Sequence, residues 1–331
     1  MNLKQQLDST ASDVNNFILS TLEGKPRDLY LASSHYVKSG GKRLRPFIVI
    51  KSCEMFEEKV EHVLPIAAAV EMIHNFTLVH DDIMDNDEVR HSVPTVHKYY
   101  GLPLAILAGD VLFSKAFQVV SHYGTKAGLP DNVISQLVSK LSQSCIDLSE
   151  GQAMDINMTS NTKFSSESQY IKLINKKTGS LFAVSCELGA ICALANKTDI
   201  ENLAKFGRNM GIAFQIVDDL IGVIGDPKVT KKPVGNDIRE GKKTLPILLA
   251  IKKAERKEKY MILKVFGSKN ASNAEIRTVV DIFTNIGVDN DVRKMARFYT
   301  SKALDILKLY NDSKAKYALQ LLTDFIVERT L

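Results

Sequence analysis

From Leu64 to Met84 apolar residues return at Ile66, Ala69, Val70, Ile73, Phe76, Leu78 and Ile83, with Thr77 beside them. That spacing is the period of a helix buried on much of its surface. The same rhythm predicts helices over Leu102 to Tyr123, Asp131 to Met158, Phe182 to Asn196 and Ile200 to Gly225. It returns around Glu275 to Phe283, Val292 to Leu309 and Lys314 to Val327. Pro65, Pro103 and Pro130 stand near expected helix starts, where proline is tolerated. Strand-like alternation is scarce. Three segments interrupt the helices: Ser39-Gly40-Gly41, Asn86 to Pro94, and Gly225 to Gly241. The last is long for a helix–helix connection and is expected to act as a lid or substrate loop. The pattern predicts an all-α fold, a single large helical bundle in one domain over residues 1–331.

Composition narrows this reading. The chain is 45% hydrophobic and 24% charged, an ordinary globular balance with enough apolar residues for a large core. Its net charge of +5 is too small and scattered to argue for nucleic acid, but it suits an anionic substrate. The first twenty residues lack the basic start and apolar run of a signal peptide. No uninterrupted apolar stretch reaches the roughly 18 residues of a membrane span. A cytoplasmic chain without a span is therefore expected. Cys53, Cys145, Cys186 and Cys192 contain no CxxC pair and fit no zinc spacing, so they are expected to be small buried hydrophobes.

Two acidic clusters carry the candidate chemistry. Asp81, Asp82 and Asp85 end the Leu64 helix, with Asp81 and Asp85 four apart on one face. Negative charge at a helix C-terminus opposes the macrodipole, so a cation is expected to compensate. Oxygen ligands of this kind suit magnesium, which completes its shell with water and phosphate. Asp218 and Asp219 follow a second apolar helix, with Gln215 on the same face. Two such helices suggest facing carboxylate walls across a bundle. Basic residues supply the opposite sign. Gly40-Gly41-Lys42-Arg43-Leu44-Arg45-Pro46 sets cations at a helix start, which favours an anion, although the P-loop spacing is absent. Arg90, Lys177, Lys232, Lys242 and Lys243 lie in or beside the breaks. His74, on an apolar helix, reads by itself as a core histidine.

The segments GGKRLRP (40–46), HDDIMDNDEVR (80–90), PTVHKYYG (94–101), GD (109–110), KTGSLF (177–182), FQIVDDLIG (214–222) and KPVGNDIREGKKT (232–244) occur in this order. Together they resemble the trans-polyprenyl diphosphate synthase family along nearly the whole chain, and the overall pattern is similar to archaeal synthases of geranylgeranyl diphosphate. The resemblance implies the isoprenoid synthase fold with a central active-site cavity, a homodimer, and magnesium, three ions per site. Isopentenyl diphosphate would be joined to dimethylallyl, geranyl or farnesyl diphosphate. Asp81 and Asp85, supported by Asp82, and Asp218, assisted by Asp219, would hold metal. Lys42, Arg45 and His74 would bind isopentenyl diphosphate. Arg90, Lys177, Lys232 and Lys242 would bind the allylic diphosphate. Thr178 and Gln215 would face the carbocation. Phe76, with Thr77 and Ile73, would limit product length, giving twenty carbons.

Two positions depart from the family pattern. His91 stands where a second arginine is usual, so isopentenyl diphosphate binding is expected to follow imidazole protonation. Gly222 stands where many members have aspartate. The competing readings are a farnesyl or longer-chain (C25–C30) synthase, a class I terpene cyclase, an HD-type phosphohydrolase and a non-catalytic regulatory subunit. A cyclase would not need the basic site at 40–46, the seven histidines form no persuasive phosphohydrolase set, and a regulatory subunit would be expected to lose one acidic cluster.

Overall fold

The computed structural model describes residues 2–57, 61–90, 92–161, 164–225, 235–268 and 270–328, with Glu61 described in its backbone only. Helices dominate, as the periodicity predicts. They are α1 (Leu3–Thr21), α2 (Arg27–Ser33), α3 (His35–Lys38), α4 (Leu44–Glu54), α5 (Leu64–Met84), α6 (Val96–Tyr100), α7 (Leu102–Lys126), α8 (Asp131–Ser160) and α9 (Glu167–Ile174). They continue as α10 (Ser180–Cys192), α11 (Lys197–Ile224), α12 (Asn236–Glu240), α13 (Leu245–Lys253), α14 (Arg256–Val265), α15 (Asn273–Asn285), α16 (Val288–Leu307) and α17 (Lys314–Glu328). A π turn, Asn175–Gly179, joins α9 to α10. The break after Met84 contains a small antiparallel hairpin of β1 (Val89–Arg90) and β2 (Val93–Pro94), with Val89 opposite Pro94 and Arg90 opposite Val93.

The chain divides into two compact units. One comprises Met1–Cys145, Leu181–Ala204 and Asn311–Leu319; the other comprises Ile146–Ser180, Lys205–Tyr310 and Gln320–Leu331. In the first unit α5 is the spine. Pro65 opens it, and Ile66, Ala67, Ala68, Ala69 and Val70 are all fully buried. These small side chains let α7 lie along it. Helix α7 alone is long and apolar enough to pass for a membrane span by length and composition among the described residues, yet its Ala105, Ala108, Leu112 and Ala116 are buried within this unit. Helix α1 emerges from the polar N-terminal stretch, where Asn2 and Gln5 form a capping box and Leu7, Val14 and Ile18 supply a sparse buried stripe.

The second unit has its own core, including Leu173, Ile216, Leu220, Leu245, Ile262, Ile276, Phe283 and Val292. Capping boxes at Ser166–Gln169 and Ser272–Glu275 start α9 and α15. The four cysteines are buried, as expected. Of the expected lid, 235–241 contains the short helix α12, and 226–234 lies outside the described residues.

Candidate active site

The two acidic clusters sit where the sequence places them, but the members of each pair differ in environment. In the first unit Asp85 caps α5, its N–H donating to the Asp81 carbonyl at 2.8 Å. Asp81 is half-buried and Asp85 exposed. Asp82 turns inward and is 1% exposed. Arg90 reaches back from β1 to Asp82 Oδ1 through both Nε and Nη2, each at 2.6 Å. The Tyr36 hydroxyl donates to the other oxygen of Asp82. Burial, followed by this carboxylate, raises the Tyr36 pKa, so the phenol keeps its proton. Both Asp82 oxygens are therefore engaged by protein donors, and the residue aims Arg90.

At the start of α4 the run of cations separates by task. Gly40 and Gly41 adopt φ of 93° and 137°, and Arg43 takes the left-handed N-cap position at φ 47°. Arg43 then turns into the protein, donating to Glu71 at 3.0 Å, Asn15 at 2.8 Å and the Val37 carbonyl at 2.9 Å. It anchors the loop, while Lys42 stays exposed. Arg45 stacks over the Phe182 ring, 4.7 Å from its centroid, with Nη1 3.2 Å from His74 Nε2. Its buried Nε has no hydrogen-bond partner among the described residues. Burial lowers the Arg45 pKa to about 10, still a cation at neutral pH. His74 is thus a neighbour of Arg45.

Further along α5, Ile73 is fully buried and Phe76 only partly so. The Phe76 ring packs against His80 at 4.8 Å and Phe113 at 5.2 Å, and Phe113 meets Phe117 at 5.0 Å. Thr77 Oγ1 donates back to the His74 carbonyl at 2.8 Å. Gly109 is required here: a Cβ would strike the His80 imidazole, whose Nε2 lies 3.2 Å from the Ile106 carbonyl.

In the second unit a chain of hydrogen bonds links four side chains. Thr178 Oγ1 donates to Gln215 Oε1 at 2.7 Å. Gln215 Nε2 donates to Asp219 Oδ1 at 2.8 Å, and the Tyr170 hydroxyl donates to Asp219 Oδ2 at 2.5 Å. Asp219 is 7% exposed, and burial, then Asp237, raises its pKa to about 8. As with Asp82, the second aspartate of the pair is held by a tyrosine, while Asp218 stays half-buried. The π turn presents Lys177 and buried Thr178; such turns recur at functional sites. Lys177 pairs with Asp155 at 2.5 Å. Gly151 permits this approach, because a Cβ there would overlap the Lys177 backbone.

Gly222 is explained in the same way. A Cβ at this position would fall on the carboxylate of Asp237. The Asp237 carboxylate of α12 thus occupies the space beside position 222. Lys242 pairs with Glu240 at 2.7 Å. Lys243 is buried, its Nζ donating to the Met158 carbonyl at 2.7 Å and to that of Asn161. His91 and Lys232 lie outside the described residues. Tyr36, Tyr170, Arg43, Glu71, Asp155 and Asp237 are the supporting residues that the sequence did not single out. Tyr36 and Asp82 are separated by 46 positions and share no motif.

Helices that end in paired carboxylates, a stacked arginine at a helix start and a threonine–glutamine pair are the parts of a helical prenyltransferase. The pattern of the family described as Polyprenyl synthetase matches residues 26–283, and the chain belongs to that family. It is 42% identical over 321 residues to the geranylgeranyl diphosphate synthase of Sulfolobus acidocaldarius, covering 96% of each chain. It is 40% identical to the geranylfarnesyl diphosphate synthase of Aeropyrum pernix, over 96% of this chain and 99% of that one. The fold matches the crystal structure of geranylgeranyl pyrophosphate synthetase from Pyrococcus horikoshii with a TM-score of 0.92 at 38% identity, covering 98% of both chains. It also matches a Corynebacterium glutamicum geranylgeranyl pyrophosphate synthase complexed with isoprenyl diphosphate and magnesium, with a TM-score of 0.88 at 26% identity, over 99% of this chain and 100% of that one.

Proposed function

We propose that the chain is a magnesium-dependent synthase that extends allylic diphosphates with isopentenyl diphosphate, ending at geranylgeranyl diphosphate. Arg45 carries this reading. A cation stacked on Phe182 beside His74, with a buried donor left unpaired, suits a second diphosphate, which a terpene cyclase has no use for. Lys42 at the same helix start adds an exposed charge. Both acidic clusters are intact, which also argues against a regulatory subunit.

Asp81, Asp85 and Asp218 offer hard oxygen donors that fit magnesium, and three ions would serve each site. When bound, the metal neutralises charge growing on the departing diphosphate. Arg90, held rigid by Asp82, and Lys177, Lys232 and Lys242 would grip the same group. These contacts strengthen as the allylic carbon–oxygen bond breaks, and that difference lowers the barrier. Thr178 commits its proton to Gln215, so the hydroxyl presents lone pairs to the positive carbon. The double bond of isopentenyl diphosphate then forms the new carbon–carbon bond, and a proton leaves to the diphosphate. Apolar walls must keep water from the cation.

Product length rests on Phe76, backed by Phe113, with Ile73 deeper along α5. The geranylfarnesyl relative keeps twenty-five carbons as the second reading. Exposed Tyr99, Leu102, Ile106 and Leu107 on α6 and α7 suit a second copy of the chain, in a cytoplasmic homodimer. The deciding experiment incubates purified protein with magnesium, labelled isopentenyl diphosphate and each allylic primer, and measures product length. No condensation with any primer overturns the reading; products of thirty carbons or more overturn the length assignment alone.

A further inference from the structure

In both units the second aspartate of the acidic pair is gripped by a tyrosine from a helix outside the acidic and basic motifs. Tyr36 lies on α3 and Tyr170 on α9, and each is 2% exposed. A tyrosine fixes its hydroxyl with only two side-chain torsions, so it holds a carboxylate at low entropic cost. Neither tyrosine belongs to the metal- or diphosphate-binding set, and each acts through the carboxylate it holds.

In the first unit the Tyr36 hydroxyl uses both its proton and a lone pair. It donates to Asp82 Oδ2 and accepts the Val96 N–H at 3.3 Å. Arg90 takes the other oxygen of Asp82 at 2.6 Å. With an oxygen committed on each side, the carboxylate is fixed in rotation and holds the guanidinium in one direction. Val96 opens α6, directly after the hairpin that carries Arg90, and its N–H has no partner within the helix. Thr95 closes the same hairpin. Its N–H donates to the Glu88 carbonyl at 3.0 Å and its hydroxyl to that of Asp87 at 2.8 Å. His35, next to Tyr36, lies with Nε2 2.8 Å from the Pro94 carbonyl. Helix α3 therefore fixes Arg90 twice, through its carboxylate and through the end of its hairpin.

In the second unit the Tyr170 hydroxyl donates to Asp219 Oδ2, which leaves Oδ1 for Gln215. Gln215 then turns Oε1 to the Thr178 hydroxyl. We propose that Tyr36 and Tyr170 are positioning residues with separate tasks, Tyr36 aiming Arg90 for allylic-diphosphate binding and Tyr170 aiming the Gln215–Thr178 pair for turnover. The proposal rests on the synthase reading above. Removing either hydroxyl strips one hydrogen bond from a buried carboxylate, so a purely structural role would make the two variants behave alike. Neither partnership is visible in the sequence, where Tyr36 lies 46 positions from Asp82 and Tyr170 lies 49 from Asp219.

Phenylalanine variants of the full-length protein, assayed at saturating magnesium with each substrate varied separately, test this division. Tyr36→Phe should raise KM for the allylic diphosphate roughly 10-fold, as when an outer-shell partner is lost, with kcat and the isopentenyl diphosphate KM within about twofold. Tyr170→Phe should lower kcat roughly 10-fold and leave both KM values within about twofold. Each effect should vanish where its target is already gone, in Arg90→Ala for Tyr36 and in Thr178→Val for Tyr170. Calorimetric binding of a non-cleavable thio-analogue of farnesyl diphosphate gives a readout apart from turnover. It should weaken in Tyr36→Phe and hold in Tyr170→Phe. Where a phenylalanine variant does not fold, Asp82→Asn or Asp219→Asn probes the same link from its other end and must show the same split. Identical kinetic changes in the two variants, additive effects in the double variants, or a loss that extra magnesium recovers overturns the positioning roles. Absence of condensation in the wild type overturns the synthase reading itself, and this proposal with it.

Discussion

The Thr178 hydroxyl is tied to Gln215 at 2.7 Å, and Gln215 is in turn oriented by Asp219 at 2.8 Å. One carboxylate thus fixes which end of the amide faces the threonine. Thr178→Val keeps the shape and removes the oxygen. It should lower kcat by about 10²-fold, in the range seen when one transition-state contact is lost. KM for both diphosphates should change little. Steady-state kinetics with each substrate varied separately check this; a KM effect alone would place Thr178 in binding.

Metal dependence should separate the aspartates within each pair. Chelator should abolish condensation. Asp81→Ala and Asp218→Ala should each reduce turnover by about 10³-fold or more while the melting temperature holds or rises, because like charges are removed. Asp82→Ala should behave differently. It strands Tyr36 and Arg90, so stability should fall by about 1–3 kcal/mol and KM for the allylic diphosphate should rise. Thermal melts alongside kinetics make the comparison.

Gly222→Asp would restore the acidic residue common in the family, yet it should impair this chain. The new side chain must displace the Asp237 carboxylate. Melting temperature and activity should both fall. The double variant Gly222→Asp/Asp237→Gly should recover more of both than additivity allows. Purely additive effects would show that the two positions are independent.

Phe76→Ala should lengthen the product to twenty-five carbons or more with farnesyl diphosphate as primer. Because the ring is only partly buried, the stability cost should fall below the roughly 3–5 kcal/mol of a fully buried phenylalanine. Phe113, 5.2 Å away, would then set the next limit, and the double variant should lengthen further. Chromatography of the products reads the outcome. An unchanged length in folded protein removes Phe76 as the floor.

The buried pair of Arg43 and Glu71 makes a stability prediction. Glu71→Ala leaves Arg43 without its counter-charge and should cost about 3–5 kcal/mol in denaturant unfolding. Replacing both by apolar residues of similar volume should recover most of that loss. Equal destabilisation in the double variant would show that Arg43 matters chiefly through Asn15 and Val37.

Much of this was legible in the chain. The apolar period found the long helices because burial on a helix repeats every three to four residues. The acidic clusters and the basic loop were visible because their charges crowd into short windows. What escaped was set by tertiary contact. Arg43 and Arg45 look equivalent in sequence, yet one closes a loop and the other stacks on Phe182. Asp81 and Asp82 are adjacent, but a 100° step around the helix sends Asp82 to Tyr36 and Arg90. Helix α1 was missed because its buried residues are spaced widely among polar ones.

The π turn at Asn175–Gly179 carries one residue more than an α-helix would need. Deleting a single residue there would let the backbone relax into regular α-helical hydrogen bonding, and the shortened chain could fold as well as the original. Thr178 and Lys177 would then swing by about 100° around the axis of α9, away from Gln215 and Asp155. Selection for heat resistance and selection for turnover would therefore pull this turn in opposite directions. A library screened only for soluble, stable protein would accumulate catalytically silent survivors at these five positions.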